Sequence, residues 1–236
     1  MNRIRDFLYL HLTRDPLRID GYGLEFADFM AAVLDRMDHM LVLRGEGDFI
    51  GSFSRNLSRT RLSGDELHGI AGECVYNYGD FSWFDFTSVS ALESLTPPEL
   101  AEIYYLENKW TPLSSPMLDR IGNRFFYLAH DDGWHNRCYF RHEQDLRDVL
   151  SRNIVARLEK LMHLRKPRMI NPACLSTLLD VAAGGAIVDM KRTRKEKNRL
   201  LVPVFAVGPY HDMDAVYEAR ERLGDSASVM ELVVRA

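Results

Sequence analysis

The sequence predicts an α+β fold: helices packed on a mostly antiparallel sheet, with a small α/β unit at the C-terminal end. Three observations carry that expectation. Arg124–Arg141 reads as a β-hairpin, residues 143–164 as the clearest amphipathic helix, and the tail as strand, strand, helix, strand.

The hairpin rests on Asp132-Gly133, set between two strand-like runs. Asp-Gly suits a type I′ turn, where both central residues take positive φ. A two-residue loop makes His130 face His135, whereas a three-residue loop pairs His130 with Trp134. Phe125, Tyr127, Cys138 and Phe140 form the expected core face, and Phe126, Leu128, Arg137 and Tyr139 a half-polar one. In the helix, Leu146, Val149, Leu150, Ile154, Leu158 and Leu161 make one apolar stripe.

Upstream, Phe26, Phe29, Met30, Val33, Leu34 and Met37 recur at helical spacing within residues 24–37. A strand is expected from His39 to Arg44, closed by Gly45-Glu46-Gly47. Residues 52–65, rich in Ser, Arg and Asn, read as a surface loop. A second hairpin is expected from Cys74 to Phe86 about Gly79-Asp80, gathering Tyr76, Tyr78, Phe81 and Trp83 on one face. Thr96-Pro97-Pro98-Glu99 is a capping box that opens a helix reaching about Asn108. Pro112 and Pro116 frame a linker-like stretch.

In the tail, Asn171-Pro172 starts a helix that Gly184-Gly185 ends. Strands Ala186–Met190 and Leu200–Val207 flank a basic run, and a helix over Met213–Leu223 precedes strand Val229–Val234. If the chain divides, the boundary falls at Arg165–Met169. That gives a main domain over 1–164 and a small α/β unit over 165–236; a single domain is the alternative.

Composition narrows the function classes. The chain has 236 residues, a net charge of −4, 46% hydrophobic and 27% charged residues, as an ordinary soluble domain does. Mild acidity argues against a protein that coats nucleic acid generally. Cys74, Cys138 and Cys174 form no CxxC pair and suit free thiols in a reducing compartment. No stretch has the length of a membrane span and no signal peptide is legible, so a cytoplasmic location is expected. No Walker loop, HExxH or GxSxG is present, and Gly45–Gly51 departs from the dinucleotide fingerprint.

Four constellations remain. Opposed on a hairpin, His130 and His135 would have Cβ atoms about 4.5–5.5 Å apart and would suit a shared divalent metal such as zinc, manganese or iron. Asp131 and Asp132 would then act as ligands or as a catalytic base, with His211 and Asp212 completing the metal site. Turn chemistry alone also explains Asp131-Asp132-Gly133, and a helix cap explains Asp212. The aromatic face of Tyr76, Tyr78, Phe81 and Trp83, together with Trp134, would bind a partner by stacking or else serve as core. Lys191, Arg192 and Arg194 begin a basic run that would touch phosphates or simply face solvent.

The favoured reading is a non-enzymatic module that binds or regulates another protein. A metal-dependent hydrolase centred on His130 and His135 is the alternative. Nucleic-acid contact through residues 191–199 is the weaker third.

Overall fold

The chain is known from a computed structural model, which describes residues 6–50, 53–72, 81–106, 112–130, 133–164, 168–224 and 226–235. Among these the architecture is α+β, seven α-helices on a twelve-stranded antiparallel sheet.

Strands β1 (Phe7–Arg14) and β2 (Leu17–Tyr22) open the chain as a hairpin. Helix α1 (Phe26–Val33) leads into β3 (His39–Ile50) and β4 (Phe53–Ser63). Then come α2 (Asp65–Ala71), β5 (Phe81–Phe86), α3 (Val89–Glu93) and α4 (Pro97–Leu106). Hairpin β6 (Phe125–His130) and β7 (His135–Phe140) precedes the long helix α5 (Glu143–Met162). The tail supplies β8 (Met169–Ile170), α6 (Pro172–Ala182), β9 (Ala186–Asp189), β10 (Arg194–Glu196), β11 (Arg199–Ala206), α7 (Met213–Arg222) and β12 (Met230–Arg235).

The strands run in the order β4-β3-β5-β6-β7-β2-β1-β9-β11-β12-β8, with β10 paired to β11. Strand β1 pairs with β9, so strands from both ends of the chain share one sheet. Residues 165–167, inside the expected domain boundary, lie outside the described residues.

Successive strand residues point to opposite faces, and the two faces are covered differently. Leu8, Leu10, Ile19, Trp83, Tyr127, Cys138, Val188 and Val204 belong to one large core, with α1, α2, α5 and α6 packed over it. An aromatic cluster sits at its centre: Phe29 lies 5.4 Å from Trp83, 5.3 Å from Tyr127 and 5.8 Å from Phe140. Such ring pairs contribute about 0.5–1.5 kcal/mol each beyond their buried area.

The opposite face carries two smaller clusters. One joins Phe84, Phe126, Leu128 and Tyr139 to Ile103 of α4 and to Leu113, Leu118 and Ile121. The other joins Phe7, Tyr9, Ile187 and Phe205 to Val216, Ala219 and Leu223 at α7. Between them lies a polar strip of sheet.

Buried charges tie the layers together and are each answered. Asp145 accepts from Arg36 (2.5 Å) and Arg124 (2.8 Å), and Asp85 accepts from the backbone N–H of Arg124 and Phe125. The Arg157 guanidinium donates to the carbonyls of Phe7 and Gly23. The capping box forms, with the Thr96 N–H donating to the Glu99 carboxylate at 2.7 Å.

Three expectations need correction. Residues 53–63 are strand β4 and not a surface loop. An edge strand paired on one side has no need of apolar alternation, and a polar, arginine-bearing edge resists pairing with other chains. Strand β3 runs through Gly45 and Gly47 to Ile50, past the end expected at Arg44. The Cys74–Phe86 hairpin fails at β5, because β3 and β6 occupy its two edges. Its other candidates, Tyr76 and Tyr78, lie outside the described residues, as do Asp131 and Asp132.

Candidate functional site

The polar strip follows directly from strand register. Along one row, His11 of β1 faces Asp20 of β2, which faces Arg137 of β7, which faces Leu128 of β6. Along the next, Tyr9 faces Tyr22, Tyr22 faces His135, and His135 faces His130. The register therefore opposes His130 to His135, with ring centroids 4.1 Å apart.

These rows floor a cavity of about 320 Å³, lined by His11, Arg18, Asp20, Tyr22, Pro112, His130, His135, Arg137, Tyr210 and His211. Two tyrosines rising from the sheet pin its walls. The Tyr139 hydroxyl accepts from the Leu113 N–H at 2.7 Å and holds the segment beginning at Pro112. The Tyr9 hydroxyl donates to the Gly208 carbonyl (3.0 Å) and accepts from the Tyr210 N–H (2.6 Å), holding the loop that carries Tyr210 and His211. Gly185 lets this loop close in: at φ +87°, a Cβ there would lie 1.9 Å from the Gly208 oxygen.

Asp20 is the electrostatic hub. One carboxylate oxygen accepts from Arg18 Nε at 2.7 Å and the other from Arg137 Nε at 2.8 Å. Arg18 also donates to the Thr13 hydroxyl. Arg137 Nη1 and His135 Nδ1 are buried and have no hydrogen-bond partner among the described residues.

Burial pushes the His135 pKa down to about 3, with His130 and Arg137 adding to the effect. Burial also lowers the His11 pKa, against the pull of Asp20. His135 is thus a neutral imidazole at physiological pH, able to donate or accept but not to carry charge.

Of the residues singled out from sequence, His130, His135 and His211 line this one cavity. Asp212 caps α7, its carboxylate accepting from the Ala215 N–H at 2.7 Å. Among the described residues, no three His, Cys, Asp or Glu side chains are grouped to hold a metal ion. Phe81 and Trp83 are fully buried in the core, so neither ring offers a stacking face. Trp134 is half-buried beside Tyr217.

The basic run is partly absorbed by the fold. The Asp189 side chain accepts from the backbone N–H of Lys191 and Arg192, Arg192 donates to the Gly224 carbonyl, and Arg194 pairs with Glu231 at 2.6 Å. Lys191 and Arg192 also line a shallow cavity of about 570 Å³ with Asp189, Tyr217, Arg220 and Glu221. There the arginines already pair with Asp189 and Asp6.

Sequence reasoning missed His11, Arg18, Asp20, Tyr22 and Tyr210. The alternation Arg18-Ile19-Asp20-Gly21-Tyr22 was the available signal, and it marks a strand with one polar face.

Comparison of the chain with protein-family models, with curated proteins and with solved structures finds no match, so no relative supplies a function. No helix among the described residues is long and apolar enough to cross a membrane.

Proposed function

We propose that this chain is a non-enzymatic binding or regulatory module, and that the mid-sheet cleft is where it engages a partner protein. One observation carries the reading: strand register sets imidazoles, guanidiniums and a carboxylate side by side in the gap between two apolar clusters. Polar groups held on rigid strands with pinned walls suit recognition, because little ordering is left to be lost on binding. Among the described residues large exposed apolar side chains are few and scattered (Leu100, Met169 and Val229).

The test uses exposed His211 on the rim and half-buried His11 on the floor, neither of which belongs to the apolar core. A partner is isolated by cross-linking to the wild-type chain, purified, and titrated against wild type and a His211→Ala/His11→Ala variant. The reading expects about tenfold weaker affinity for the variant, about 1.4 kcal/mol. Equal affinity would place recognition elsewhere.

A second proposal, a metal-dependent hydrolase, draws support from the opposed His130 and His135. It expects near-stoichiometric zinc, manganese or iron in purified protein, lost in a His130→Ala/His135→Ala variant. Metal content that the double variant leaves unchanged would end it.

A further inference from the structure

We infer that the cleft is built to receive a small oxyanion, a phosphate, sulfate or carboxylate group, held by Arg137 and the imidazoles around it. The inference rests on the cleft being the recognition site and specifies what that site recognises.

Charge comes first. Among the described residues the lining holds two guanidiniums, Arg18 and Arg137, against one carboxylate, Asp20. Those three groups leave an excess of one positive charge, which a bound anion would cancel. Asp20 does not exhaust the donors. It takes Nε from each arginine, while Arg137 Nη1 has no partner among the described residues. A guanidinium offers five N–H donors in a fixed fork, so one carboxylate at Nε leaves the buried Nη1 of Arg137 still to be answered.

His135 is the second observation. Its side chain lines the cleft, the residue is 7% exposed, and Nδ1 has no partner among the described residues. A buried polar atom without a partner is uncommon in folded proteins, and in the tautomer that carries its proton on Nδ1 an acceptor brought by a ligand would satisfy it. The surroundings select the sign of the ligand. Burial, His130 and Arg137 oppose a proton on His135 while Asp20 favours one, and the Arg137 guanidinium opposes any other cation there for the same Coulombic reason. An anion meets the opposite field.

The walls suit a group that arrives on something larger. Pro112 on one side and Tyr210 and His211 on the other flank a floor made of strand residues, and about 320 Å³ exceeds what a bare anion needs. The anion is therefore expected on a side chain or small molecule whose body contacts the tyrosine rim.

The test is isothermal titration into the full chain at pH 7 and constant ionic strength, with chloride as reference. Inorganic phosphate, sulfate, acetate and phenyl phosphate are the probes. Saturable binding of at least one oxyanion is expected, weakened about tenfold or more by Arg137→Gln and measurably by His211→Ala. Tighter binding of phenyl phosphate than of inorganic phosphate would mark an anion carried on a larger body; the reverse would mark the free ion. If Arg137→Gln fails to fold, the exposed His211→Ala variant decides alone. Binding of none of the four probes by folded wild type, or equal binding by wild type and variants, overturns the inference. A cleft that still loses its partner protein in the His211→Ala/His11→Ala variant while binding no anion would sink the oxyanion alone and leave the proposed function standing.

Discussion

The two faces of the sheet are made by the same strands and end in different places. On β7, Asn136, Cys138 and Phe140 point into the helix-covered core, while His135, Arg137 and Tyr139 point the other way. The helix-covered face carries one apolar cluster that runs from β3 to β12. The opposite face is covered in two pieces, and the strip left between them is where the polar side chains gather. Coverage, more than sequence composition, separates the structural face from the candidate functional one.

The largest expected effect breaks the covered face. Phe29 is fully buried among aromatic rings, and Phe29→Ala should cost about 3–5 kcal/mol in denaturant unfolding, because the surrounding rings cannot collapse into the space. A cost below about 1 kcal/mol would deny that this cluster is the centre of the fold.

Two buried titratable groups, His135 on the open face and Asp85 on the covered one, act in opposite directions with pH. On the open face, His135 has a folded pKa of about 3 against an ordinary value of 6.5. The unfolded chain therefore binds the proton first, and stability is lost as pH falls from about 6.5 toward 3. At pH 5 the loss is about 2 kcal/mol, and His135→Gln should flatten that acid limb.

On the covered face, burial raises the Asp85 pKa from 3.8 to about 7, against the pull of the backbone N–H groups of Phe125 and Arg124. Here the folded chain holds the proton more tightly, so this contribution is lost as pH rises from about 4 to 7. Stability of Asp85→Asn relative to wild type should rise over that range, again by about 2 kcal/mol or more. Parallel pH curves for wild type and either variant would contradict the corresponding assignment.

Smaller effects sharpen the account of the cleft walls. Tyr139→Phe removes the acceptor for the Leu113 N–H and should cost about 1–2 kcal/mol while loosening the Pro112 segment, read by hydrogen exchange at Leu113. The smallest effect lies away from both faces. Arg194 pairs with Glu231 but is more than half exposed, so Arg194→Ala should change stability by less than about 1 kcal/mol. A larger loss would mean that the basic hairpin is structural.

Helices α1 and α5 were legible from an apolar face at helical spacing, and α6 and α7 from recognisable end signals at Asn171-Pro172 and Asp212. Strand β1 was not, because Phe7–Leu10 is buried on both faces and shows no alternation. Strand β4 was not, because an edge strand with arginines resembles a loop in composition. His130 opposite His135 followed from local turn chemistry, one of two registers the sequence left open. Asp20 beside Arg137 could not follow in that way. The two residues are 117 positions apart and meet only through the pairing of β2 with β7, which no local pattern specifies.

The protein's own histidines provide the most direct measurement. There are eight, and four of them, His11, His130, His135 and His211, line the cleft, while His39, His68, His142 and His163 lie outside it. Imidazole carbon–proton NMR spectra, recorded at pH 7 while inorganic phosphate replaces chloride at constant ionic strength, compare the two sets in one sample. The account predicts saturable shifts in the cleft set and none in the others. Uniform shifts across all eight, or shifts confined to the outer four, would contradict it.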